Sequence, residues 1–167
     1  MKFPICKVCL KNKILCKACE KLVKENKIDE EEIKMYRQIN RILKPYNFAE
    51  DIEIKRAISN ENVLLIITNK NDVSKIIGKH GGIVRKLGKN LNKQIRVIAE
   101  PSSPKEFIKE IFFSVPIRGI NTVYAPDGIT YKIRIPGSER NNMSISPEKF
   151  SNIFNSFFNE NVDIIFE

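Results

Sequence analysis

The chain has 167 residues, 42% of them hydrophobic, with 29 Lys plus Arg against 20 Asp plus Glu and a net charge of +9. That apolar content excludes global disorder, and no apolar run approaches the roughly 18 residues of a membrane span. The start, Met1-Lys2-Phe3-Pro4, lacks the apolar stretch of a secretory signal, so a cytoplasmic protein is expected. The charge is uneven: residues 1–49 sum to +6, residues 50–100 to +4 and residues 101–167 to −1. It is densest from Lys70 to Arg96, where eight bases face one acid, Asp72. A basic stretch is often only a solvated helix face. This one also holds a glycine-bearing turn between two helical patterns, which points to a polyanionic partner.

All four cysteines fall at the start, as Cys6-Lys7-Val8-Cys9 and Cys16-Lys17-Ala18-Cys19. Two CxxC pairs let four thiolates converge as a tetrahedron on one Zn²⁺. Such a site is closed, with no position left for water, so it is structural rather than catalytic. Lys7, Lys11, Lys13 and Lys17 offset the negative charge of a tetrathiolate centre. An iron–sulfur cluster and disulfides are the other readings; disulfides are disfavoured in a chain with no secretory signal. The segment is too short to bury a core of its own, so metal binding is expected to fold it. A first domain over residues 1–28 follows, with a short basic helix from Lys17 to Lys27.

A second helix is capped by Asp29 with Glu32 three residues on, and Ile33, Tyr36, Ile39, Ile42 and Leu43 recur at helical spacing up to Lys44-Pro45. Ile52, Ile54 and Ile58 alternate, predicting a half-buried strand, and Val63 to Ile67 reads as a central strand. A short helix from about Asp72 to Ile77 follows, then Gly78-Lys79-His80-Gly81, a helix from Gly82 to about Asn92, and a strand from Gln94 to Ala99. Residues 29–100 thus read α-β-β-α-α-β.

The segment Ile77-Gly78-Lys79-His80-Gly81-Gly82-Ile83-Val84 resembles the signature of KH RNA-binding domains, GxxG between aliphatic residues. The helix-first order resembles the type II form of that fold. Physics agrees with the resemblance. A tight turn between two helices brings backbone N–H groups near an anion, and glycines admit a nucleic acid backbone without an obstructing Cβ. Lys79 and His80 at the turn, with Lys75, Arg85, Lys86 and Lys89 on the flanking helices, are expected to meet phosphates. Ile77, Gly82, Val84 and the adjoining strand are expected to wall a groove for about four unpaired bases. His80 is the sole histidine. With no nucleophile or carboxylate at a readable spacing, it reads as a phosphate contact rather than a catalytic base.

Past Glu100-Pro101-Ser102-Ser103-Pro104, a helix capped at Ser103 carries Phe107, Ile108, Ile111 and Phe112. A hairpin turns at Pro126-Asp127-Gly128 between strands Ile120–Ala125 and Ile129–Ile135. Gly137 to Ile145 is polar and irregular. Ser146-Pro147 opens a helix with Phe150, Ile153, Phe154, Phe157 and Phe158 on its buried stripe, and Val162 to Phe166 is a last strand. Residues 101–167 therefore read as a degenerate KH-like domain that has lost one helix and the GxxG, and the fold class as α+β.

The junction Ile95 to Ile108 and the domain pairing resemble the tandem KH region of NusA-type transcription factors over about residues 29–167. The second GxxG is absent, and a four-Cys knuckle precedes the first domain. The resemblance implies a non-catalytic factor that binds single-stranded RNA and works with RNA polymerase or another RNA-processing complex. Tandem KH modules also precede CPSF-type nucleases that cut transcript 3′ ends. The other reading is an adaptor in RNA processing or ribosome assembly, with the knuckle and last domain holding protein partners. No paired carboxylates, Cys–His pair or P-loop supports an enzyme.

Overall fold

The computed structural model describes all residues from Met1 to Glu167. Each CxxC pair opens a helix, with Cys6 and Cys16 at the N-caps of Lys7–Lys11 (α1) and Lys17–Lys24 (α2). The next helix, Glu30–Leu43 (α3), begins with the capping box expected at Asp29 and Glu32, both halves of which form. Strands Ile54–Ser59 (β1) and Val63–Thr68 (β2) follow, then Val73–Ile77 (α4), Gly82–Leu91 (α5) and Gln94–Ala99 (β3). β1 and β2 pair antiparallel, and β2 pairs with β3 in parallel. A parallel pair cannot be joined by a tight turn, and α4 and α5 supply the crossover. The order α-β-β-α-α-β is as the sequence predicts.

β1 departs from the expected half-buried alternation, being buried at five of its six positions. Its register shifts between Ile54 and Arg56, which breaks the period of two. Arg56 then reaches Glu32 of α3 through two hydrogen bonds, at 2.7 and 2.9 Å, although both residues are buried. Tyr36 donates its hydroxyl hydrogen to the same carboxylate at 3.2 Å, and burial pushes the Tyr36 phenol well above its usual range. One glutamate thus caps a helix and pins it to the sheet.

The chain forms two compact units, Met1–Glu100 and Pro101–Glu167. The cysteine segment is part of the first. Ile5, Cys9, Leu10, Cys19 and Ile28 share a buried cluster with Ile33, Tyr36, Ile39 and Leu43 of α3 and with Leu64 and Ile66 of β2. The amino terminus is tied in as well: Lys2 donates its N–H to Ile52 O at 2.9 Å and accepts from Ile54 N–H at 2.8 Å.

In the second unit, Pro104–Ile111 (α6) is followed by the hairpin Gly119–Ala125 (β4) and Gly128–Ile135 (β5), then Pro147–Phe158 (α7) and Asn161–Phe166 (β6). β4 and β5 are antiparallel and β5 and β6 parallel, the same arrangement as in the first sheet. Phe107 lies among Phe150, Phe154, Phe157 and Phe158 with ring centroids 5.4–6.4 Å apart, so the aromatic stripe of α7 is core. The protein is therefore α+β, with seven helices and two three-stranded sheets. No helix is long and apolar enough to cross a membrane.

Candidate metal centre and nucleic-acid interface

The four cysteine sulfurs lie within 4.8 Å of one another. A tetrahedral ion with metal–sulfur bonds of ~2.3 Å would set them ~3.8 Å apart, so a small contraction completes the site. Backbone N–H groups already aim at the sulfurs. Cys16 N–H donates to Cys9 Sγ at 3.1 Å, Cys6 N–H to Cys19 Sγ at 3.4 Å and Cys19 N–H to Cys16 Sγ at 3.5 Å. Donors to a thiolate favour its charged, ligating form. The Cys9 N–H, above all, brings the exposed Cys6 thiol down to about 7, whereas burial pushes Cys19 up to about 12. The exposed Cys6 therefore gives up its proton readily, and a cation must displace the one on the buried Cys19.

A residue that sequence spacing did not reveal braces this loop. Arg37 of α3 donates from Nε to Cys9 O at 3.1 Å and from Nη2 to Asn12 O at 2.6 Å and Lys13 O at 3.5 Å. Its helical position on α3 was readable; its partners, at least 24 residues away, were not.

The second set of candidate residues surrounds the turn between α4 and α5. Gly78 closes α4 with φ 76° and ψ 172°, a region reserved for glycine. His80 and Gly81 are left-handed, at φ 53° and 71°, and Gly81 N–H bonds Gly78 O at 3.1 Å. Lys79 and His80 are therefore carried outward on the tip, and both are exposed. α5 starts immediately after the turn, with Gly82 in open space. Ile77 is half-buried behind the turn.

Alongside α5 runs a groove of about 610 Å³, lined by Val84, Arg85, Gly88 and Lys89 of α5 and by Lys93 and Ile95. Asn62, Asn92 and Gln94 also line it. Gly88 is needed for the close end of α5: a Cβ there would lie 2.9 Å from Lys93 O, and Lys93 N–H bonds Gly88 O at 3.1 Å.

No family model and no curated protein matches the chain. Among solved structures it is similar to one described as "Crystal structure of APE1850", with a TM-score of 0.52 and 18% identity, over 84% of this chain and 100% of that one. At that identity the likeness is one of fold.

The predicted cations are not equivalent once placed. Lys79, Arg85 and Lys89 are exposed at the turn and groove. Lys75 instead holds the buried Asp72 at 3.1 Å. Burial works against the Asp72 carboxylate, but hydrogen bonds from Lys75, the Glu53 N–H and Asn69 outweigh it and keep the group below its usual range. Lys86 lies over the Tyr46 ring, 5.3 Å from its centroid. Lys93 bonds the carbonyls of Asn60 and Glu61 in the β1–β2 turn. Lys75 thus supports the frame, Lys86 is exposed as well as lying against Tyr46, and Lys93 ties the far wall of the groove in place.

Proposed function

We propose that the protein is a non-catalytic single-stranded RNA-binding factor with a KH-type clamp in its first unit, acting with the transcription machinery as NusA-like factors do. The carrying observation is the Gly78–Gly81 turn. It places two exposed side chains able to meet a phosphate, the Lys79 ammonium and the His80 imidazole, at the start of α5 and beside the groove of Val84, Gly88 and Ile95. A phosphate at the turn meets backbone N–H groups, the positive end of the α5 dipole and the Lys79 ammonium. The bases that follow lie against Val84 and Ile95, with the Asn62, Asn92 and Gln94 amides at their edges, while Arg85 and Lys89 meet the next phosphates. The second unit has no GxxG and a net charge of −1, which suits a framework or protein-contact role better than a phosphate track.

Zn²⁺ is the ion that best suits four thiolates in a closed tetrahedron, and its task is structural. Cys6, Cys9, Cys16 and Cys19 hold it, and the core that Cys9 and Cys19 share with α3 couples the metal to the RNA-binding unit.

The test is a filter-binding titration with an oligouridylate of about five nucleotides. Lys79→Asp with His80→Asp should weaken binding by more than about tenfold without changing the circular dichroism spectrum. Wild-type affinity should fall with salt at a slope near −0.7 per phosphate neutralised. Unchanged affinity in the double variant would overturn the clamp.

A further inference from the structure

The cysteine segment has surface chemistry that the Gly78–Gly81 turn does not use. Residues 1–28 carry eight lysines and two glutamates. Four thiolates on a divalent ion remove part of that excess and leave the segment positive. Some lysines have local partners: Lys21 pairs with Glu25 at 3.6 Å and Lys24 with Glu20 at 3.2 Å. Lys7, Lys11, Lys13 and Lys17, and Lys34 on α3, are exposed and make no ion pair. Cations left without carboxylates on three helices and a loop form an extended field rather than one pocket.

A groove of about 600 Å³ lies within that field, between the cysteine loop, α2 and α3. Ile14, Leu15 and Val23 form its apolar side over the buried Ile33, and Lys13, Lys24, Lys34 and Arg37 outnumber Glu20 and Glu30 around it. Ile14 is 85% exposed, which is costly for an isoleucine that has nothing to cover. The loop that presents it is braced by the Arg37 bonds to Cys9 O and Asn12 O. The apolar surface is thus held in place rather than left on a mobile tip.

We infer that this groove is a second single-strand RNA subsite, in which a base packs on Ile14, Leu15 and Val23 while the flanking phosphates meet Lys13 and Lys34. The inference rests on the RNA-binding reading of the first unit and extends the footprint past the turn. Three aliphatic side chains cover one flat base. An amphipathic helix from an acidic protein lays down anchors at i, i+3 or i+4, and i+7, and needs a longer apolar trough than this one. Cations spread over α1, the loop, α2 and α3 match phosphates repeating along a strand.

The experiment uses the full-length zinc-loaded protein and fluorescein-labelled oligouridylates of about 5 and about 15 nucleotides, read by anisotropy. The longer RNA should bind more tightly. Lys13→Glu with Lys34→Glu should weaken it about tenfold and make its log K against log salt slope shallower by about 1.4, the value for two lost phosphate contacts. The shorter RNA should bind that variant as it binds the wild type. Lys105→Glu with Lys109→Glu, the same charge change in the second unit, should leave both RNAs unaffected. The subsite is overturned if the longer RNA gains nothing over the shorter, or if the second-unit variant gives an equal loss. It is also overturned if polyglutamate of matching charge displaces the longer RNA as well as unlabelled RNA does, which would mark a protein-docking surface. Failure of the wild type to bind the shorter RNA, with binding of the longer one still dependent on Lys13 and Lys34, would remove the clamp and leave this subsite standing.

Discussion

Replacing Gly78 by alanine tests the geometry of the clamp at its tightest point. Two separate costs arise. The backbone, at φ 76° and ψ 172°, lies where only glycine is comfortable, which costs about 1–3 kcal/mol for any other residue. The added Cβ would also lie 2.6 Å from Ile83 Cγ1 and 2.8 Å from its Cδ1. Ile83 is β-branched and stiff at χ1, so relief requires a backbone shift, an overpacking cost of about 1–3 kcal/mol. Together these give a loss of about 2–6 kcal/mol. The assay is urea unfolding followed by residue-resolved amide signals of the first unit. At ~2 kcal/mol per molar urea, a loss of this size lowers the midpoint by about 1–3 M. A second variant separates the terms. Ile83→Ala removes the colliding atoms, so the double variant should recover the steric part, with a coupling of at least ~1 kcal/mol between the two sites. A Gly78→Ala loss below about 0.5 kcal/mol would refute the backbone argument. Strict additivity with Ile83→Ala would refute the steric one.

Removing the metal with a chelator near neutral pH should destabilise more than the cysteine loop. Cys9 and Cys19 lie in the same buried cluster as Ile33 and Tyr36, so α3 should lose hydrogen-exchange protection together with α1 and α2. A loss of about 2 kcal/mol corresponds to a melting point lower by roughly 8–16 °C in a unit of this size. Protection of α3 that survives chelation would show the segment to be energetically separate. Asp72 gives a pH signature. Its folded value is lowered from 3.8, so its stabilisation is complete above that value and fades as pH falls below it. Asp72→Asn should cost about 1.5–3 kcal/mol near neutral pH, and the gap to wild type should close in acid. A gap that stays constant down to the most acidic measurable point would remove the ionised Asp72 from the account.

What could be read from the chain beforehand was local. The Asp29–Glu32 capping box, the alternation of Tyr131, Ile133 and Ile135 and the two CxxC pairs each lie within a few residues, and all four cysteines converge. The Gly78–Gly81 turn was equally local, and its backbone angles are those its glycines allow. What escaped was set by contacts across the fold. Arg56 resembles any strand residue until Glu32, 24 positions earlier, is placed against it. That the exposed Lys86 also lies over Tyr46 emerges only once α5 packs near that ring. Lys75 has its partner only three residues away, yet Asp72 attracts it so firmly because the fold buries that carboxylate beneath the Glu53 N–H. The groove was foreseen through Val84, Arg85, Lys89 and the adjoining strand, whereas Gly88, Lys93 and Asn62 join it only when α5 turns back towards β3.

The matching sheets have a consequence for how such a chain can change. In the first unit the connection from β2 to β3 runs from residue 69 to 93, and in the second the connection from β5 to β6 runs from residue 136 to 160. Both are 25 residues long. The first folds that length into two helices around a glycine turn, and the second into a polar stretch and one longer phenylalanine-rich helix. The strands on either side have the same pairing and direction. The connection therefore acts as an exchangeable cassette on a constant frame, and the presence or absence of the glycine turn is a property of the insert. One sheet plan can thus carry a glycine turn in one unit and a phenylalanine-rich helix in the other, without any change to the strands that frame them.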